Sequence, residues 1–458
     1  MNKDKISDFL FNKTFRRSMA VLVVPIVLQN FVSALINSAD IIMLGKISQS
    51  AISAVSLAGQ ITFIIMLFYF GLATGAGILT AQYWGKKDIT AIKRVLSIAC
   101  VLSITVSFVF FIISIIFPAA LMCIFTSDTE LIMYGAKYQR IISLSYLFMS
   151  LSSMYLSVIK SMEKVRFTAI LSSSALSLNI FFNAVCIFIL FPGLPEKAIV
   201  GVAASTVIVR FLELIVCVLH SYRKGNIRYS LSVRDNMQKQ LFKDYLTFST
   251  PALANYIVWG SALAATSAII GHFNSDMVAA NAVTAVVRNL VIVLCSGIGA
   301  GGSILVGKYL GSADFQSAKK AGNIICRYAL FFGAIAGVTV LLIKPLVLIV
   351  IDLNATSAGY LDVMLTICAV YCIGKSFNST IIGGIFPAGG DAKFGFFCDT
   401  IVMWGIIVPL GFICAFVLSV SPVILYLVLC LDEFIKLPTA LIRFRQYKWL
   451  KNITRDFT

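Results

Sequence analysis

Apolar residues gather along this chain in blocks of about 20 to 30, the length an α-helix needs to cross the roughly 30 Å hydrocarbon layer of a bilayer. Short polar stretches separate the blocks. Twelve spans are predicted, at 19–44, 51–83, 94–117, 132–159, 167–191, 198–219, 245–270, 277–308, 321–351, 359–386, 394–418 and 422–442. The fold class this pattern predicts is an all-α polytopic membrane protein with twelve transmembrane helices. The longest polar break in mid-chain is HSYRKGNIRYSLSVRDNMQKQLFKDY, from His220 to Tyr245.

The blocks repeat. Segments 25–94 and 251–320 align without a gap at an offset of 226, pairing Pro25 with Pro251, Gly45 with Gly271, Gly71 with Gly297, Gly75 with Gly301, Tyr83 with Tyr309, Gly85 with Gly311 and Asp88 with Asp314. Apolar helices resemble one another by chance, but shared Pro, Gly, Tyr and Asp at one fixed step do not. An even number of spans separates the copies, so both enter the membrane in the same direction. Parallel repeats related by an axis along the membrane normal are one of the two arrangements on which secondary transporters are built. Two pseudo-symmetric six-helix bundles are therefore expected: an N-terminal lobe over 1–220, a cytoplasmic linker over 221–244 and a C-terminal lobe over 245–458, with the substrate path between them.

Composition agrees with this reading and charge refines it. Of the 458 residues 59% are hydrophobic and 12% charged, about half the charged share of a soluble domain. A formal charge of +17 raises nucleic acid as a partner, and the placement of the bases removes it. With the N-terminus inside, 29 of the 37 Lys and Arg fall in inner segments, including six at the C-terminal end, Lys436 among them. Five (Lys46, Lys137, Arg140, Lys197, Lys344) fall in outer segments and three (Arg210, Arg288, Lys375) within spans. That is the positive-inside bias of a membrane protein with both termini in the cytoplasm. The eleven cysteines stand singly in apolar blocks and read as small buried hydrophobes. His220 and His272, 52 residues apart, do not make a metal site. The N-terminus MNKDKISDFLFNKTFRR merges into a full-length span, so no secretory signal is expected.

Several stretches together resemble one family. They are PIVLQNFVSALINSADIIMLGKI on span 1, FGLATGAGILTAQYWGKKD closing span 2, SLNIFFNAVCIF on span 5, GVAASTVIVRFLE on span 6, FPAGGDAKFGFFCD between spans 10 and 11, and KWLKNIT near the C-terminus. The chain is similar through these to the multidrug and toxic compound extrusion (MATE) transporters. The resemblance implies a twelve-helix antiporter whose two lobes enclose a central cavity. It also implies export of organic, often cationic, compounds against an inward gradient of protons or sodium ions.

Six charged residues are read as intramembrane: Asp40, Arg210, Glu213, Arg288, Lys375 and Asp399. An ionised Asp at mid-span costs roughly 2.5–3.5 kcal/mol, so such residues mark ion paths or pairs by default. Arg210 and Glu213, three apart, share a helix face and can pair; Asp399 is expected to partner a neighbouring base. Asp40 has no base within its span, and its repeat counterpart is Thr266, which makes the N-terminal half the expected ion-binding lobe. Taking up a proton or binding sodium would neutralise it. Asn179 and Asn183, four apart on span 5, face the same way, and Ser205 and Thr206 on span 6 fall at comparable depth. Asp40, Asn179, Asn183 and Thr206 are the expected cation or proton site, with sodium, if bound, held at Asp40, Asn179 and Asn183. In members of the family an acid often stands where Asn183 does, and one subfamily has a glutamate on span 7. This chain has neither, which leans the reading toward a proton. Pro25 removes a backbone donor and is the candidate hinge of span 1; the family associates a proline there with bending as the ion site loads. Asn255, Trp259, Arg288 and Lys375 are candidate polar residues of the cavity, and the two bases would disfavour a cationic cargo if they face it.

One apparent motif fails. GSILVGKY, ending span 8, mimics a phosphate loop, but Tyr309 stands where Ser or Thr is needed. Gly71/Gly75 and Gly297/Gly301 fit close helix packing or local unwinding better. No enzyme and no cofactor beyond the coupling ion is expected. The expected partners are a small organic substrate and the lipid bilayer, with the chain a monomer in the bacterial inner membrane. The alternative among transporters is a flippase for a lipid-linked saccharide or another amphiphile of the wider superfamily, which a strongly cationic cavity would favour. A channel would need a pore-lining polar face, which is not legible here.

Overall fold

The computed structural model describes residues 3–44, 49–229, 238–273, 275–351, 353–418 and 420–456, and only the backbone for 3–12, 36–42, 44, 49, 52 and 273. In chain order the helices are α1 (Lys3–Leu44), α2 (Gln49–Lys86), α3 (Ile89–Ile116), the short α4 (Pro118–Cys123), α5 (Thr129–Ser161), α6 (Val165–Ala184) and α7 (Pro195–Ser221). There follow α8 (Lys239–Phe273), α9 (Ser275–Gly311), α10 (Phe315–Val350), α11 (Ala355–Thr380), α12 (Ala392–Asp399), α13 (Pro422–Leu429) and α14 (Asp432–Arg445). Wider π-helical turns prolong α6 over Val185–Leu190, α11 over Ile381–Ile385 and α12 over Thr400–Ile407.

Eleven helical runs among the described residues are long and apolar enough to cross a membrane. The twelfth crossing, expected as one helix over 422–442, is the pair α13 and α14. The chain tightens at the break, where the Cys430 N–H reaches both the Tyr426 and Leu427 carbonyls at 3.0 and 3.1 Å. Asp432, Glu433 and Lys436 follow at once, all buried. This corrects the sequence reading on two points. Lys436 belongs to the interior, not to the inner basic end, and Asp432, Glu433 and Lys436 join the six charged residues read as intramembrane.

The two halves are copies in detail. Asp88 caps α3 by accepting from the Ala91 N–H at 2.9 Å, and Asp314, 226 residues on, caps α10 by accepting from Ser317 at 3.0 Å. The residues before them, Lys87 and Ala313, are both left-handed, at φ 63° and 58°. Asp128 and Asn354, the same step apart, cap α5 and α11. The repeat thus extends past the segment in which the sequence reveals it.

Contacts between the halves obey the same exchange. A Cβ on Gly71 of α2 would lie 2.5 Å from Leu253 of α8, and one on Gly297 of α9 would lie 2.4 Å from Val27 of α1. Likewise Gly75 lies against Ser249, and Gly301 against Val23. Adding 226 to Gly71 and Val27 gives Gly297 and Leu253; adding it to Gly75 and Val23 gives Gly301 and Ser249. Such crossed pairs require an approximate two-fold axis between the halves.

The outside is apolar. Phe108, Ile116, Leu342, Leu346, Ile349, Ile401 and Phe412 are large and exposed, as a surface solvated by lipid tails requires. Half or more of the most apolar stretch is buried in α2, α5, α9 and the run continuing α11, at 50%, 56%, 56% and 50%. In the runs of α8 and α10 it is 22%. The former are therefore the helices packed deepest within the protein.

Candidate functional site

A cavity of about 680 Å³ lies between the halves. Gln29, Asn30 and Ser33 of α1, Phe70 and Thr74 of α2, Ser157 and Lys160 of α5, Thr168 and Ser172 of α6, and Arg210 and Glu213 of α7 line it from the first half. Tyr256 of α8, Ser303 of α9 and Pro387 line it from the second. The Phe70 and Tyr256 rings, one from each half, lie 5.7 Å apart.

One end, where the basic turns α2–α3 and α9–α10 meet the C-terminal segment, is sealed by main chain. A Cβ on Gly85 would lie 2.0 Å from the Lys308 carbonyl oxygen, and one on Gly311 would lie 1.8 Å from that of Gln82. These are again a 226-step pair. No side chain fits at either glycine, which is why the turns can cross so closely. The fully buried Gln82 side chain completes the seal: its amide donates to the Ala388 and Lys451 carbonyls at 2.8 and 3.1 Å, and its oxygen accepts from the Ile453 N–H at 2.8 Å. Lys308 Nζ reaches across to both Glu163 oxygens at 2.7 and 2.9 Å, and Trp84 Nε1 donates to the same carboxylate at 3.0 Å. The C-terminal segment, held in the second half by the fully buried Trp449, adds Arg455, which grips Asp244 at 2.6 and 3.1 Å.

The amides and hydroxyls expected to converge on spans 5 and 6 are neighbours. Asn179 Nδ2 donates to Thr206 Oγ1 at 3.1 Å, Asn183 Nδ2 approaches Asn179 Oδ1 at 3.5 Å, and Ser205 Oγ donates to Asn183 Oδ1. Two helices thus share a hydrogen-bonded run of four side chains, with Asn183 and Ser205 buried. Helix α1, which carries Asp40 in its last turns, packs on α6; the Asp40 side chain lies outside the described residues. The donor set of amide and hydroxyl oxygens suits a proton network or a hard monovalent cation, the latter once the amide oxygens turn toward it. Pro25 sits within α1, where its missing N–H leaves the Val21 carbonyl without its helical partner.

The second half holds a cluster that the sequence reading only half found. Lys375 pairs with Glu433 at 2.8 Å and stands 5.7 Å over the Trp259 ring. Asn378 donates to the Glu433 carboxylate and carbonyl at 2.8 and 2.7 Å. Lys436 pairs with Asp399 at 2.8 Å and approaches Asp432 at 3.4 Å. A cavity of about 170 Å³ lies against this cluster, lined by Asn255, Trp259, Lys375, Asn378, Asp399, Glu433 and Lys436. It shares Tyr256 and Gly383 with the central cavity. The Asn378 and Asn255 side-chain oxygens are buried there without a hydrogen-bond partner among the described residues. Three of the four candidate cavity residues, Asn255, Trp259 and Lys375, therefore meet. The fourth, Arg288, lines neither cavity and lies over the Tyr371 ring at 5.7 Å.

Arg210 and Glu213 pair at 2.8 Å, and Asp399 has its base in Lys436. The base that the sequence reading passed over on the cavity wall is Lys160, assigned to a loop because the predicted span stops at 159, whereas α5 runs to Ser161. For the second half the signal was present: Asp432 and Lys436 are four apart inside an apolar block, the spacing of a helical ion pair.

Comparison with known proteins agrees with this architecture. The MatE family model matches residues 25–185 and 251–413, two matches starting 226 residues apart. The uncharacterized transporter YisQ of Bacillus subtilis (strain 168) is 25% identical over 453 residues, covering 96% of each chain. The probable multidrug resistance protein YoeA of the same organism is 25% identical over 409 residues, covering 87% of this chain and 86% of its own. Among solved structures, an outward-facing conformation of a multidrug resistance MATE family transporter superposes with a TM-score of 0.85 at 16% identity, over 94% of this chain and 95% of that one.

Proposed function

From the premise that the chain belongs to the MatE family of membrane transporters, we propose that it is a secondary active antiporter. It exports organic compounds in exchange for protons or sodium ions as its two lobes rock about the central cavity. The observation that carries this reading is a cavity of about 680 Å³ between two symmetry-related halves, closed at one end by backbone contacts that a rigid rotation can separate. The basic end faces the cytoplasm by the positive-inside rule, with both termini there. The state with that end sealed is then the outward-facing one, in the inner membrane of a bacterium. The chain acts as a monomer, since the path runs between its own halves.

Asp40 is the coupling carboxylate, with Asn179, Asn183 and Thr206 completing its ion site and Pro25 letting α1 bend. One carboxylate among neutral oxygens favours a proton over sodium. Cationic character of the cargo follows from the resemblance alone. A flippase is less well supported, because the central cavity carries no strongly cationic lining among the described residues.

Everted vesicles containing the protein should accumulate members of a panel of fluorescent aromatic amphiphiles, and collapsing the proton and sodium gradients separately names the ion. Asp40→Asn should abolish accumulation with normal amounts of protein in the membrane. Equal accumulation by variant and parent would falsify the assigned role of Asp40.

A further inference from the structure

Among the described residues, three charged groups line the central cavity: Lys160, Arg210 and Glu213. Arg210 and Glu213 answer each other at 2.8 Å. Lys160, half-buried on the last turn of α5, has no carboxylate within ion-pair distance and no side-chain hydrogen bond among the described residues. Among the described residues the net charge of that wall is therefore one positive, carried by Lys160. Asp40 follows Ser33 by seven residues, about 10 Å further along the axis of α1.

An ammonium removed from bulk water without a counter-ion is costly, and an arriving anion relieves the cost. The surroundings of Lys160 are made for one. Ser153, Ser157 and Ser161, four apart on α5, line the cavity beside it and present hydroxyls along the same face. Across from them the lining carries the touching Phe70 and Tyr256 rings, centroids 5.7 Å apart, and Met66, among the polar groups of Gln29, Asn30 and Thr74. A cation entering this space meets like charge at its floor, next to the seal.

We propose that the central cavity recognises an aromatic amphiphile bearing a carboxylate, with the carboxylate on Lys160 and the ring system laid against the Phe70–Tyr256 pair. This rests on the antiporter reading for the identity of the cavity and replaces the organic cation that family resemblance implies.

The test uses binding rather than transport, so that a failure of the antiporter reading leaves it intact. Purified full-length protein in nanodiscs, with no ion gradient, is titrated with three probes sharing one ring: pyrenebutyrate, its carboxamide and the corresponding butylammonium. The carboxylate should bind about tenfold more tightly than the amide, and the ammonium more weakly than the amide. Lys160→Gln should remove the difference between carboxylate and amide while leaving amide binding unchanged, and Lys160→Arg should retain it. Ammonium binding equal to or tighter than carboxylate binding overturns the proposal. So does a carboxylate preference that survives Lys160→Gln.

Discussion

Glu433 is the residue on which the polar interior of the second half turns. Its carboxylate is 1% exposed and satisfies Lys375 and Asn378 at 2.8 Å, with the Tyr371 hydroxyl at 3.4 Å. Removing one partner of a buried pair typically costs 3–5 kcal/mol, because the other charge is left without its counter-charge. Glu433→Ala should therefore lower the unfolding temperature of the detergent-purified protein markedly, and Glu433→Gln, which keeps an acceptor for Asn378, by less. An Ala variant as stable as the parent would show that Lys375 finds another counter-charge. Residue spacing made Asn179, Asn183 and Thr206 legible as neighbours, since a four-residue step and a count of depth suffice for that. Lys160 was not legible, because whether a base at the end of a span faces water or a cavity depends on where the helix stops and which helix lies opposite.

At the scale of elements, the glycines of α2 and α9 decide how close the halves come. The repeat exposes them in the sequence, but their partners are hidden there. Gly71 could equally have packed within its own half, and it is the two-fold arrangement that crosses α2 onto α8 and α9 onto α1. Gly85 and Gly311 are the extreme cases, with backbone carbonyl oxygens where a Cβ would stand. Gly311→Ala should force the seal apart, raising hydrogen exchange in the last turns of α2 and α9 while the rest of both helices stays protected. Exchange at parental rates would mean the turns absorb the methyl group by local movement. The break between α13 and α14 was legible only in part: two adjacent acids in an apolar block announce polar partners, and Lys436 lies within helical reach of Asp432, but Lys375 on α11, which answers Glu433, and Asp399 at the end of α12, which shares Lys436, are remote in sequence.

For the whole molecule, the two-lobe architecture was the most legible feature, since span count, repeat and charge placement are all linear properties of the chain. The role of the C-terminal segment was not, because KWLKNIT carries family resemblance without revealing what it touches. In three dimensions it starts in the second half at Trp449 and ties itself to Gln82, Asp244 and Lys86 of α2 and α8. Ending the chain at Leu450 removes these ties. The shortened protein should spend less time with the basic end closed, measurable as faster hydrogen exchange over residues 77–86 with unchanged exchange in α3. Unchanged exchange over 77–86 would assign the closure to the glycine contacts alone.

The crossed glycine contacts also set the gearing of the molecule. On α2, Gly75 rests against the opposite half ten residues before Gly85 closes the end, an arm of about 15 Å at 1.5 Å per residue. In the proposed rocking, with Gly75 and Gly301 as pivot, a turn of about 20° would move the tip of such an arm by roughly 5 Å, about half the width of a helix. Arms of equal length would then carry their tips equal distances, and the passage would widen like a pair of scissors whose blades share one rivet.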